Sequence, residues 1–136
     1  MLIAAALTTV LVAAAAVPAQ AGTRKQMVRA INYVRSWHHR RQLMLSGALS
    51  AGAEAWARSL MRSQVLVHAS LHSGEGEIIE WHTGSRARVN RTVIEWWHST
   101  EHRRVMMARE FHRVGVGRAV GTYGGRRCTI WVVRFS

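Results

Sequence analysis

Trp96-Trp97-His98-Ser99-Thr100-Glu101-His102-Arg103, followed by Phe111 and then Gly115-Val116-Gly117, is where the chain changes from helical to extended periodicity. Just upstream, Val89, Val93, Trp96 and Trp97 recur at helical spacing, which predicts a helix over 86–98. Ser99 or Thr100 can accept a backbone N–H and so open a short further helix running through Met107. Downstream, Val114 and Val116 alternate with small residues and predict a strand over 113–121. Tyr123-Gly124-Gly125 is a turn signal, and 126–135 reads as the returning strand of a hairpin.

Toward the amino end the pattern is helical. Thr23 can cap a helix over 24–41, with Met27, Ile31, Val34 and His38 on one stripe and Arg and His residues on the other faces. Gly47 breaks that pattern, and Ser50 opens a second helix with Ala53, Trp56, Ala57, Leu60 and Met61 on one side. The stretch 65–84 has no clean period and carries Gly74, Gly76 and Gly84, so it reads as loop with a short extended piece at Ile78-Ile79. Helices first and a carboxyl-terminal hairpin last point to an α+β fold rather than to βαβ repetition.

Residues 1–21 read as a signal peptide and 22–136 as one domain. Leu2 to Val17 carry no charged side chain, and Pro18-Ala19-Gln20-Ala21 places alanine at both positions that signal peptidase reads. Cleavage after Ala21 would release a secreted product beginning at Gly22. The apolar run is short for a membrane span of ~20 residues. Cys128 is the only cysteine, so no internal disulfide can form; its place in Cys128-Thr129-Ile130-Trp131-Val132-Val133 marks it as a core residue.

The net charge is +12, and Lys25 is the sole lysine. The basic residues are scattered as Arg24-Lys25, Arg40-Arg41, Arg103-Arg104 and Arg126-Arg127, without a nucleic-acid-binding motif. Nucleic acid is therefore not the expected partner. Outside the cell, anionic lipid or a cell-wall polymer would be drawn to this charge by screened, salt-sensitive attraction, giving peripheral association.

Chemistry-bearing side chains concentrate in Val67-His68-Ala69-Ser70, in Gly74-Glu75-Gly76-Glu77-Ile78-Ile79, and in the Trp96–Arg103 stretch. A G-x-S-x-G elbow and an HExxH pair are both missing, which excludes the usual serine-hydrolase and zincin patterns. The ordered set His68, Gly76-Glu77-Ile78-Ile79, Trp96 to Arg103, Phe111, Val114 and Gly115-Val116-Gly117 resembles bacterial members of the CAP superfamily (cysteine-rich secretory protein, antigen 5, pathogenesis-related; SCP-like domains).

The resemblance implies an α-β-α sandwich, with helices on both faces of a mainly antiparallel sheet. It also implies a cleft in which His68 and His102 take the family's histidine places and Glu77 one of its two acidic places. Ser99 stands where the second acid is found in eukaryotic members, and Ile78 where asparagine is usual.

Two imidazoles and a carboxylate can bind zinc, leaving an open position as catalytic sites do. The same three side chains can instead satisfy one another in a network that ties loop to helix. Three functions stay open at this point: an exported binding or interaction module at the cell envelope or outside it; a metal-assisted hydrolase using His68, Glu77 and His102; and a lipid or sterol carrier using an apolar groove between helices.

Overall fold

The structure is a computed structural model that describes residues 16–136. Met1 to Ala15, which hold most of the expected signal peptide, lie outside the described residues. The elements run α1 (Ala16–Trp37), β1 (Met44–Leu45), α2 (Gly47–Ser63), β2 (Gly76–Thr83), α3 (Val89–His98), α4 (Thr100–Met106), β3 (Arg113–Tyr123) and β4 (Arg126–Phe135).

The strands form one sheet in the order β1-β3-β4-β2. β3–β4 and β4–β2 are antiparallel, whereas β1 lies parallel to β3, so the sheet is mixed. The terminal hairpin forms as expected around Gly124 and Gly125, both at positive φ (57° and 75°), the region that glycine enters without a Cβ penalty.

Alternation along β4 divides the interior in two. Trp131, Val133 and Phe135 point to one face and pack with Met27 and Ile31 of α1, Val93 and Trp96 of α3, and Met106 of α4. Ile130 and Val132 point to the other face and pack with Ala53, Ala57 and Leu60 of α2. Helices therefore cover both faces, which is the α-β-α sandwich. Cys128 is fully buried with a free thiol, as a core residue should be.

On its own face, α2 lies unusually close to the sheet. A Cβ on Gly115 would come 2.2 Å from the backbone carbon of Leu49, and one on Gly117 would come 2.2 Å from that of Ala53. Gly-Val-Gly thus supplies two bare patches under the helix, with the Val116 side chain turned to the opposite core.

Several boundaries differ from the sequence reading. α1 begins at Ala16, so Thr23 is internal to it, and it ends at Trp37 in a turn where His39 adopts φ 53°. Arg35, expected on a polar face, is fully buried. Gly47 does not break a helix but starts α2, because Ser46 is the cap: its hydroxyl accepts from the Leu49 N–H. α3 begins at Val89 rather than at residue 86. β2 is a full eight-residue edge strand where only Ile78-Ile79 were expected to be extended. Pairing with β4 supplies the backbone partners that override its glycines and mixed polarity.

Candidate functional site

The expected cleft lies at the end of the sheet where β2 begins, and each element delivers one side chain to it. Trp56 of α2 donates its indole N–H to the Val67 carbonyl at 3.2 Å, which fixes the loop just ahead of His68. Glu77 is the second residue of β2 and its side chain is fully buried. One oxygen, Oε1, receives the Ala69 backbone N–H at 3.0 Å and lies 3.0 Å from His68 Nδ1. The other, Oε2, accepts from Arg134 Nε at 3.1 Å.

Arg134 was not anticipated. Its cross-strand partner is Glu77 on one side and Gly115 on the other, and a Cβ on Gly52 would stand 3.0 Å from its guanidinium. A small residue on α2 therefore gives Arg134 room to reach Glu77. The available signal was a charged residue set between Val133 and Phe135 in the apolar second half of the strand.

His102 arrives from α4, which Ser99 caps: the Ser99 hydroxyl accepts the His102 N–H at 3.5 Å. α3 and α4 are separate helices broken at Ser99, so His98 and His102 do not share one helical face. The carboxyl end of α4 is held by buried Arg35, whose guanidinium donates to the carbonyls of Met106 (2.7 Å) and Ala108 (3.0 Å) and to that of Arg41 (2.9 Å). Cationic donors at a helix carboxyl terminus satisfy carbonyls that lack intrahelical partners.

Burial lowers the pKa of His102 from the usual imidazole value, nearby Glu101 raises it, and the approach of His68 lowers it further. His102 is thus held toward the neutral form, and it faces His68 electrostatically.

A carboxylate acceptor at Glu77 calls for the N–H of His68 at Nδ1, on a side chain that is 62% exposed. In this arrangement Glu77 orients an imidazole, the role that outer carboxylates play behind metal-bound histidines. Glu77 itself has both oxygens engaged and no exposed surface. The donors left free are two imidazoles, fewer than the three protein ligands of a catalytic zinc centre. Among the described residues, no group of three or more His, Cys, Asp or Glu side chains is placed to share one ion. The described residues fall short of the donor set of a zinc hydrolase site.

A second concavity, a groove of about 960 Å³ between α1 and α3, is lined by Tyr33, Val34, Val93 and Ile94 together with Arg29, Arg88 and Arg91. Trp96 fills the core, while Trp97 lies half-buried under His38, stacked at 4.5 Å, and under the guanidinium of Arg103 at 5.5 Å.

Comparison with known proteins matches the fold and the motif series together. The chain resembles an outer surface protein from Borrelia burgdorferi at 17% identity and a TM-score of 0.60, covering 82% of this chain and 89% of that one. An extracellular SCP-domain protein of Bacillus anthracis str. Ames superposes with a TM-score of 0.68 at 18% identity, over 85% of this chain and 40% of that protein. BmVAL-1 superposes with a TM-score of 0.63 at 21% identity, over 84% and 76%. No curated protein sequence matches the chain. The profile of the cysteine-rich secretory protein family, CAP, matches residues 28–135, and the chain belongs to that family.

Proposed function

We propose that the chain is an exported binding module of the cell envelope or the extracellular space, and that His68, Glu77 and Arg134 serve it as a structural tie. The observation that carries this is the Glu77 carboxylate, buried and bonded through both oxygens. A general base or metal ligand needs a lone pair that the reacting atom or ion can reach, and the Glu77 side chain has no exposed surface, with three donors from the loop and β4 gathered on it. Export is supported by the alanine pair before Gly22 and by the extracellular description of the Bacillus anthracis relative. Among the described residues no helix is long and apolar enough to cross a membrane; association with the envelope is read as peripheral because a +12 chain is drawn to anionic surfaces by screened attraction.

The test is melting with and without zinc, on the wild type and on His102→Ala. A structural tie predicts a wild-type melting temperature that ignores zinc. A zinc-dependent rise that His102→Ala abolishes would restore the hydrolase. For the envelope, the wild type should leave anionic membrane or wall fractions as salt is raised well above physiological strength, since attraction by a +12 surface is screened. Retention that ignores salt would replace surface charge with a specific pocket.

A lipid carrier is the second reading, and the α1–α3 groove is what favours it: apolar side chains edged by Arg29, Arg88 and Arg91, with Tyr33 and Ile94 exposed at 64% and 56%. Displacement of a fluorescent fatty acid by unlabelled lipid, lost in Ile94→Asp, would establish it.

A further inference from the structure

At the opposite end of the sheet from the His68–Glu77 cleft, the face covered by α1 and α3 turns from apolar to polar. Glu80, Trp131 and Arg118 form one cross-strand row, and His82, Thr129 and Val120 form the next. A pocket of about 250 Å³ opens there between the β2 edge and the first turns of α3. Arg88, Arg91, Thr92 and Glu95 line it from the helix at spacings that share one face, and Trp81 and His82 line it from the strand.

Two buried polar atoms in this lining lack any hydrogen-bond partner among the described residues: Thr92 Oγ1, on a residue only 1% exposed, and His82 Nε2. Buried polar groups are nearly always satisfied, so two orphans in one small pocket require an explanation. Arg88 is exposed, sits at the α3 N-cap with φ 48°, and makes no side-chain capping bond. The first N–H groups of α3 therefore meet the pocket end of the helix without a side-chain acceptor. Arg91 gives only Nε to Glu95, at 2.9 Å.

From these groups we infer that the pocket binds a phosphate ester through Arg88, Arg91 and the Thr92 hydroxyl, with Glu95 restraining Arg91. Guanidinium forks match phosphate oxygens bidentately, and two of them beside a hydroxyl offer more donors than a carboxylate needs. The volume lies below the range of drug-sized ligand sites, about 300–1,000 Å³, and suits a headgroup or one ester unit. Burial raises the carboxyl pKa of Glu80, the Trp81 backbone N–H lowers it and Glu95 raises it again, so Glu80 holds its negative charge less readily beside the pocket. This assignment gives the binding module a ligand class and rests on that reading. It uses no residue of the His68–Glu77 cleft, so either can fail alone.

The experiment is calorimetric titration of the full chain at low ionic strength with inorganic phosphate, with glycerol phosphate and with phosphatidylglycerol vesicles. Saturable binding is expected, weakened at least tenfold by Arg88→Gln and tightened severalfold by Glu95→Gln, which frees Arg91. Glu110→Gln makes the same charge change on an exposed residue elsewhere and should leave affinity unchanged. Thr92→Val should weaken binding while raising the melting temperature, because it removes an unpaired buried hydroxyl.

That variant pattern with free glycerol phosphate identifies a soluble or wall-polymer ester as the source; the pattern with vesicles alone identifies a lipid headgroup. Absence of saturable binding, equal effects of Glu95→Gln and Glu110→Gln, or acetate competing as well as phosphate would each overturn the assignment.

Discussion

Arg134→Met removes one charge from the buried network and keeps most of the volume of the aliphatic stem, so its cost reports the pair itself. Breaking a buried ion pair from one side costs about 3–5 kcal/mol because the other charge is left uncompensated. Here the Arg134 side chain is 22% exposed and Glu77 keeps two further donors, at His68 Nδ1 and Ala69 N. Those features bring the expectation down to about 2–3 kcal/mol, allowing for the neighbours that remain. For a domain of this size that corresponds to a fall in melting temperature of about 8–15 °C.

Adding Glu77→Gln should return part of the loss, since a neutral amide needs no counter-charge. The double-mutant cycle should therefore show a coupling above about 1 kcal/mol. Chemical denaturation of the four proteins measures it. A single-variant cost under about 1 kcal/mol, or a double variant no more stable than the sum of its parts, would show that Glu77 and Arg134 are not an energetic unit.

Gly117→Ala should destabilise by about 3 kcal/mol or more, read by the same denaturation, because a Cβ 2.2 Å from the Ala53 carbon forces the α2 backbone off the sheet. The depressed pKa of His102 makes stability complete above the ordinary imidazole range near 6.5 and lost progressively as pH falls through the lower folded value. Melting temperature should accordingly drop between about pH 7 and 5, and His102→Gln should flatten that slope; an unchanged slope would remove burial of the imidazole as its cause. Mass spectrometry of the exported protein should find Gly22 as its first residue, and an intact Met1–Ala21 would refute cleavage at the alanine pair.

The sequence reveals elements wherever one face repeats regularly. α3 and β4 were legible because Val89, Val93 and Trp96, and then the run from Ile130 to Val133, leave no other period available. β2 was not, because it is an edge strand whose two faces are both mixed: Glu77, Ile78, Ile79, Glu80, Trp81 and His82 alternate no single property. β1 is two residues long, below anything a periodicity can register.

The site was half legible. His68, Glu77 and His102 stood out as chemical groups, but the partners that decide what Glu77 can do did not. Arg134 and Arg35 carry charges that read as surface. Both are drawn inward by acceptors brought from far along the chain: the Glu77 carboxylate for one, and the carbonyls of Arg41, Met106 and Ala108 for the other.

Glu77 and the Gly-Val-Gly stretch belong to one device. Arg134 reaches Glu77 on the face that α2 covers, between Gly115 across the strand and Gly52 on the helix above. The glycines let α2 descend onto β3, and that descent seals the carboxylate from water, which makes a paired charge obligatory rather than optional. At the mouth of the cleft stand two imidazoles, that of His68, backed by Glu77, and that of His102, held toward the neutral form by burial. On the binding-module reading proposed above, selectivity is sought outside the network, where side chains can change without disturbing the packing of α2: in the α1–α3 groove and in the pocket at the start of α3.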